Sequence, residues 1–169
     1  MSVLWITGLA GAGKTTLAAL VAAVIDSDAA APAAGVRHID GDAVRRELGE
    51  AGRGYTREER LAVAAHISAL AVAHSRRGGC AVVSTISLFH AVHAFNRAAG
   101  VDYFEVLLDC ADATREQRLA ARRALQGPRV GAEIAAEFPL APHLRLDSGG
   151  APAQRLAQQL LQAWRRRHV

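Results

Sequence analysis

Eight residues near the start of the chain restrict its possible folds more than any other stretch. Residues 8–15 read G-L-A-G-A-G-K-T and match the pattern G-x-x-x-x-G-K-[ST]; an apolar run precedes them at 3–6 and another follows at 17–25. Glycines adopt backbone torsions closed to other residues, so successive N–H groups can converge on one anion at the start of a helix. The order strand, glycine-rich turn, helix therefore predicts a phosphate-binding loop, or P-loop.

The use of basic residues supports this interpretation over an incidental glycine-rich turn. The chain has 20 Lys and Arg residues, and Lys14 is its single lysine. Because arginine serves at every other basic position, a lysine here indicates that its ammonium group is needed to reach the β- and γ-phosphates. The hydroxyl of Thr15 can bind Mg²⁺. We predict triphosphate contacts from Gly8, Ala10, Gly11, Ala12, Gly13, Lys14, Thr15 and Thr16.

Apolar runs typical of buried strands alternate with helical stretches along the whole chain. The strand candidates lie at 3–6, 36–39, 80–85, 103–109 and 144–147. The longest helical stretch starts with the capping-box pattern of Thr56 and Glu59, and Thr114 is predicted to cap a later helix. This alternation, beginning at a P-loop, predicts a three-layer α/β/α P-loop NTPase fold with a parallel sheet. We expect one domain over residues 1–169, with a short lid at about 126–143, where glycine and prolines interrupt the pattern.

Two aspartates follow the strand candidate at 36–39. Carboxylates at the C-terminal end of a parallel strand face the crevice where such sheets bind ligands. A helical stretch follows, so an aspartate here can also be a helix N-cap. We expect one of Asp40 and Asp42 to cap the helix and the other to face Mg²⁺ or substrate. The strand candidate at 80–85 ends without an acidic residue, so the carboxylate on the metal side is expected from this pair.

Charge and cysteine content limit the partners and the compartment. The formal charge of +4 and the pI near 9.8 come partly from three arginines at 165–167. Basic residues in a last helical turn complement the helix dipole, and no aromatic residues alternate with a basic face, so we expect no nucleic-acid partner. Two cysteines without metal-type spacing indicate a reducing cytoplasm. We expect no signal peptide, because the first strand candidate begins at once, and no membrane insertion, since no apolar run reaches about 18 residues.

An ordered series of segments resembles the adenylyl-sulfate (APS) kinase family. The segments are residues 8–16, 40–45, 54–56 with Arg60, 86–89, and 104–106 with Asp109. The resemblance implies ATP as phosphoryl donor, Mg²⁺ as cofactor, a small nucleotide-linked acceptor whose ribose hydroxyl is phosphorylated, and often a homodimer. It implies an enzyme that converts adenylyl sulfate to 3′-phosphoadenylyl sulfate.

The same resemblance implies a role for each matching residue. Lys14 and the loop backbone would hold the ATP phosphates, Thr15 would hold the metal, and Arg118 would pack on the donor adenine. Asp40 would take the proton of the acceptor hydroxyl. The implied catalytic residues are Lys14, Asp40 and Asp42, and the implied acceptor-binding residues are Asp42, Arg45, Tyr55, Arg60, Ile86, Ser87, Leu88 and Phe89.

Departures from the family pattern leave the acceptor open. The usual D-G-D-N segment ends here in Ala43, an expected asparagine is Val63, and the I-S-P-[YF]-R loop has become I-S-L-F-H at 86–90. The lid segments that clasp the acceptor base do not match. A site built on hydrogen bonds discriminates strongly, so these losses favour a different acceptor. Residues 87–89 and 95–97 are similar to the cytidine diphosphoramidate kinase branch. A nucleotide-binding module without turnover and a nucleic-acid kinase are further alternatives.

Overall fold

The computed structural model describes residues 2–121 and 129–167. In chain order the described elements are β1 Ser2–Thr7, α1 Lys14–Asp26, β2 Val36–Asp40, α2 Gly41–Glu47, a 3₁₀ turn Gly49–Gly52, α3 Arg57–Arg76, β3 Cys80–Thr85, α4 His90–Ala98, β4 Asp102–Asp109, α5 Asp112–Ala121, β5 Leu144–Asp147 and α6 Ala153–Arg166. Within these ranges no helix is both long and apolar enough to cross a membrane.

All five strands run parallel, in the order β2-β3-β1-β4-β5. Helices cover both faces of the sheet. Because side chains alternate along each strand, successive residues of one strand pack into opposite cores. On β1, Leu4 and Ile6 pack into an apolar core with α1 and α6, while Val3 and Trp5 pack into a second core with α3. The predicted three-layer α/β/α P-loop fold with a parallel sheet is confirmed.

The strand register brings the ends of three elements to one edge of the sheet. Ser84 of β3 is paired with Ile6 on one side and with Asp40 on the other. The P-loop, which starts after Thr7, therefore begins at the same edge as the aspartate that ends β2, with only the end of β3 between them. This edge is where the carboxyl ends of parallel strands meet and where ligands bind such sheets.

Helix starts show where local sequence signals suffice and where they do not. The Thr56 hydroxyl accepts the Glu59 N–H at 3.2 Å and the Glu59 carboxylate accepts the Thr56 N–H at 3.0 Å, so the predicted capping box is confirmed. The predicted cap at Thr114 is wrong, because α5 already begins at Asp112. There the Asp112 carboxylate accepts a hydrogen bond at 2.6 Å from Arg115, one turn further on.

Part of the predicted lid at about 126–143 can be described. Its first residues, 126–128, lie outside the described ranges. From residue 129 onward the segment is irregular, with a tight turn in which the Gly131 N–H donates to the Ile134 carbonyl at 2.7 Å. Further on, the Glu137 N–H donates to the Leu88 carbonyl at 3.1 Å. This contact attaches the segment to the loop between β3 and α4.

Candidate active site

The P-loop has the backbone geometry that only glycine tolerates. Gly11 and Gly13 have φ of 79° and 93°. A Cβ on Gly11 would lie 2.8 Å from the Arg115 carbonyl oxygen of α5, and one on Gly8 would overlap the Leu108 carbonyl oxygen of β4. The glycines thus serve two purposes, since they allow left-handed torsions and let the loop pack directly on neighbouring backbone.

A set of donors holds the outer side of the P-loop. Three successive loop carbonyls accept hydrogen bonds from side chains on α5 and just after β5. The pairs are Ala10 with Arg115 Nη1 (3.2 Å), Gly11 with Arg118 Nη1 (3.3 Å) and Ala12 with Ser148 Oγ (2.7 Å). In a trans peptide the next N–H points away from the carbonyl oxygen, so these contacts direct the N–H groups of Gly11 and Gly13 to the inner side. The loop is therefore arranged for an anion before any anion binds.

Lys14 lies inside this loop and is almost completely buried. Its Nζ donates to the Leu9 carbonyl at 2.8 Å. Burial lowers the pKa of Lys14 from 10.5 to about 8, against the opposing effect of Asp42 and Asp40. A bound phosphate would favour the charged ammonium form again, because an opposite charge at short range favours ionisation.

Asp40 joins the P-loop to the second helix and to the central sheet. One carboxylate oxygen accepts the N–H groups of Asp42 (3.1 Å) and Ala43 (3.0 Å), and so caps α2. The other accepts the hydroxyls of Thr15 (2.8 Å) and Ser84 (2.9 Å). Partial burial alone would raise the pKa of Asp40, but these hydrogen bonds outweigh it and lower the pKa. Asp40 thus takes the predicted capping role and also contacts Thr15, the predicted metal ligand, while Asp42 is exposed.

The donor set around Thr15 fits Mg²⁺. Thr15 is exposed at the start of α1, and its hydroxyl contacts the ionised Asp40. Asp42 lies two residues further on, in the first turn of α2. Hydroxyl and carboxylate oxygens are the ligands that this hard cation prefers, together with water and phosphate oxygens. Thr15, Asp40 and Asp42 are therefore the residues able to hold or position the metal.

Several predicted acceptor residues lie together next to this centre. The Phe89 ring has the guanidinium carbon of Arg60 4.9 Å from its centroid. Arg45 donates to the carbonyl of Gly52 at 2.8 Å and so fixes the turn before Tyr55, whose side chain is half exposed.

The remaining predicted acceptor residues belong to the loop between β3 and α4, and face inward. The Ile86 carbonyl accepts the Thr7 hydroxyl at 2.6 Å. Ser87 is buried and its hydroxyl lies 2.7 Å from that of Thr85. Leu88 is fully buried. The structure therefore brings Arg60 and Phe89 together, both of them buried, and places Leu88 in the supporting core.

Arg118 lies behind the P-loop rather than in the acceptor region. Besides the loop carbonyl, its guanidinium donates to the Ser148 hydroxyl at 3.1 Å and to the Ser148 carbonyl at 2.9 Å. The packing of Arg118 on the donor adenine therefore stays a prediction.

Contacts made by a lid glutamate were not predicted from the sequence. The Glu137 carboxylate accepts hydrogen bonds from Arg57 Nη2 at 2.7 Å and from the His90 N–H at 2.8 Å. The guanidinium carbon of Arg57 lies 5.6 Å from the Phe89 centroid. Ser148, Arg115 and Ser84 were also missed. Their local sequence contains no motif that predicts a site residue, because each one contacts the site through a hydrogen bond to a residue more than 40 positions away.

A buried cluster of ionisable side chains lies between β4 and α4, the helix that follows the loop containing Phe89. Glu105, in the middle of β4, is fully buried and its carboxylate contacts Arg97, while His93 Nδ1 lies 2.8 Å from Glu105 Oε1. The Tyr103 hydroxyl donates to the same carboxylate at 2.7 Å. Arg97 also donates to the Ala141 carbonyl at 2.6 Å. The cluster therefore connects α4, β4 and the end of the lid.

Comparison with known proteins agrees with this geometry. The sequence profile of the family described as adenylylsulphate kinase matches residues 1–141. The structure of the Mycobacterium tuberculosis APS kinase CysC in complex with AMPPNP and APS superposes with a TM-score of 0.83 at 26% identity, covering 97% of both chains.

Two curated relatives complete the comparison. The probable bifunctional SAT/APS kinase 2 of Sorangium cellulosum is 33% identical over 87% of this chain and 26% of its own length. The cytidine diphosphoramidate kinase of Campylobacter jejuni is 30% identical over 64% of this chain and 60% of its own. The chain thus spans less than two thirds of each of these relatives. Because the family profile matches most of the chain and the P-loop and strand register fit it, this chain belongs to the adenylylsulphate kinase family.

Proposed function

We propose that the protein is an ATP-dependent kinase that transfers the γ-phosphoryl group to a ribose hydroxyl of adenylyl sulfate, giving 3′-phosphoadenylyl sulfate. The observation that carries this proposal is the 2.8 Å hydrogen bond between Thr15 and Asp40, which joins the P-loop to the carboxylate on the acceptor side. It supports a reaction between a triphosphate bound at the P-loop and an acceptor bound next to Asp40. Family membership and the fold shared with an APS kinase support the same reaction.

Each residue has a defined task in this reaction. The inward N–H groups of the loop bind the triphosphate, and Lys14 exchanges its Leu9 carbonyl partner for phosphate oxygens. Mg²⁺, when bound, neutralises developing charge on the phosphates. Asp40 orients the Thr15 hydroxyl and would accept the proton of the acceptor hydroxyl, as the family resemblance implies. Phosphoryl transfer requires mainly alignment and charge neutralisation, and this arrangement supplies both.

A second candidate acceptor is cytidine diphosphoramidate. The relative of that name in C. jejuni supports it. The acceptor loop supports a changed acceptor too, because His90 stands where the family pattern has an arginine. The P-loop would bind ATP with either acceptor. The two candidates differ in the acceptor group that would bind near Phe89.

The test is acceptor-dependent ADP release from Mg-ATP by the purified protein. Adenylyl sulfate is compared with a panel of cytidine, uridine and guanosine nucleotides that includes cytidine diphosphoramidate. Turnover with adenylyl sulfate is expected. Turnover with a cytidine nucleotide alone would replace the first acceptor by the second. If no acceptor in the panel causes ADP release, a nucleotide-binding module without turnover would be favoured.

The remaining features of the proposal concern assembly and location. We propose a homodimer, as the resemblance implies, and light scattering of the purified protein tests it. Cytoplasmic location is supported by the two free cysteines, Cys80 and Cys110. We also propose that residues 1–169 form a single kinase domain with its lid at about 126–143.

A further inference from the structure

Around Phe89 the structure gathers positive charge that exceeds the available negative charge. Arg60 is 5% exposed, and within residues 2–121 and 129–167 its guanidinium has no carboxylate within 4 Å. Burial lowers the pKa of Arg60, as do the nearby Arg45 and Arg57, while Glu137 is the carboxylate that opposes them. Three arginines thus face Glu137, with Glu58 as a further carboxylate that acts on Arg57.

The start of α4 adds a further anion-binding element to this group. Its N-cap residue, Phe89, has no polar side chain to receive the free N–H groups of the first turn. The His90 N–H instead donates to Glu137, a residue 47 positions away. Free N–H groups and the helix dipole make such an end favourable for an anion. The glutamate carboxylate therefore lies where a helix end and the arginines together favour a negative charge.

We propose that Glu137 occupies, in the free protein, the position that a sulfate or phosphate group of the acceptor takes when it binds, so that the lid carries its own removable anion. The inference rests on the proposed kinase function and identifies a residue that determines acceptor affinity. Glu137 is then a competitor of the acceptor and not one of its ligands.

The contacts of Glu137 make this exchange mechanically simple. Its backbone N–H stays bonded to the Leu88 carbonyl at 3.1 Å, so the side chain can leave by rotation about its own bonds while the lid remains attached. The carboxylate is about 29% exposed and its partner Arg57 about 57% exposed. Ion pairs with that exposure contribute little to stability. An incoming sulfate group with three terminal oxygens can replace a single carboxylate on the same donors.

The exchange also has a consequence for selectivity. A neutral acceptor arm cannot neutralise Arg57 and Arg60, so it gains nothing by displacing the glutamate. An acceptor that ends in an anion restores the balance of charge when Glu137 leaves. The lid glutamate therefore sets a threshold that only anionic acceptors pass.

The test uses inorganic sulfate as the probe, at constant ionic strength, with the P-loop filled by saturating Mg-ADP. Binding is followed by the NMR shift of the His90 amide, because that N–H is the donor released by Glu137. Glu137→Ala is expected to bind sulfate about tenfold more tightly than the wild type. Arg57→Ala combined with Glu137→Ala is expected to lose most of that gain, and Glu137→Gln, which keeps the size but not the charge, should show an intermediate gain.

Glu133→Ala is the matched control, because Glu133 lies in the same segment but accepts the Arg129 N–H at 2.8 Å. Its sulfate affinity should equal that of the wild type. Unchanged or weaker sulfate binding by Glu137→Ala and Glu137→Gln would overturn the inference. Sulfate binding does not depend on turnover, so failure of the kinase assay with the expected sulfate result would reject the proposed function alone. With the true acceptor, Glu137→Ala should lower KM; a higher KM would show that Glu137 is a closing contact instead.

Discussion

The two ends of the candidate active site are held in different ways. The phosphate end is a short loop fixed by glycine torsions and by hydrogen bonds to its carbonyls from Arg115, Arg118 and Ser148. The acceptor end is held by side-chain ion pairs between distant segments, with Glu137 and Glu105 at their centres. The first arrangement is rigid because backbone packs on backbone. The second can exchange partners, so variation of the acceptor is expected there and not at the P-loop.

The largest effect should follow from removing the cation of the phosphate end. Lys14→Ala is expected to lower kcat by about 10²–10³-fold, the usual loss when one preorganised transition-state donor is deleted. The fold should stay intact, because removing a buried ammonium relieves its desolvation. The measurement is steady-state turnover with a circular dichroism melt. Lys14→Arg is the control that keeps the charge; an unfolded Lys14→Ala would instead assign the lysine a structural role.

Next in size is the loss of the buried cluster under the acceptor end. Glu105→Ala should destabilise the protein by about 3 kcal/mol or more, as expected when one member of a buried ion pair is removed. Because Arg97 also holds the Ala141 carbonyl, the KM for the acceptor should rise more than that for ATP. Chemical denaturation and kinetics measure both. Glu116→Ala removes an exposed pair with Arg129 and should change little; equal effects of the two variants would contradict the cluster's role.

The same cluster predicts a pH dependence. Burial alone would raise the pKa of Glu105, but the adjacent His93 and the hydrogen bond from Tyr103 outweigh it and hold the pKa below the usual 4.5. The stabilisation is therefore present above the unfolded-state pKa and is lost as pH falls through the folded-state value. The wild type should lose stability below about pH 4.5, and Glu105→Gln should lose less over the same range. Parallel pH curves for the two proteins would reject this assignment.

A smaller effect is expected at the joint between the two ends. Asp40→Asn keeps the approximate shape but removes the charge that accepts hydrogen bonds from Thr15 and Ser84. We expect kcat to fall by about 10²-fold, with a smaller change in ATP affinity. Asp109→Asn, which removes an exposed pair with Arg145, serves as control. Equal losses in kcat and in ATP affinity would favour a metal-binding role for Asp40.

The smallest effect should follow from loosening the outer support of the P-loop. Ser148→Ala leaves the buried Ala12 carbonyl without its 2.7 Å donor, at a cost of about 1 kcal/mol in stability. The KM for ATP should rise severalfold, while the KM for the acceptor stays unchanged, because the contact lies at the phosphate end. Ser27→Ala removes a comparable hydrogen bond on the surface and should alter neither constant. A rise in the KM for the acceptor alone would contradict the separation of the two ends.

Much of the phosphate end could be predicted from sequence because its determinants are local. Glycine spacing, the single lysine and the flanking apolar runs all lie within residues 3–25, and the torsions of Gly11 and Gly13 follow from them. The capping box at Thr56 is equally local. The cap predicted at Thr114 is wrong because α5 starts two residues earlier, at Asp112. The Asp112 carboxylate bonds to Arg115, and the local sequence is compatible with either helix start.

The acceptor end required the tertiary structure. Asp40 was recognised as a site residue, but its double role depends on Ser84, which only the pairing of β2 with β3 brings beside it. Glu137 and Ser148 carry no local signal, since their partners are 47 and 136 residues away. By itself the sequence determined the fold class and the phosphate chemistry, because backbone torsion and apolar periodicity are short-range properties. Only the folded chain decided which charges meet around Phe89, because ion pairs between distant segments depend on how the strands are ordered.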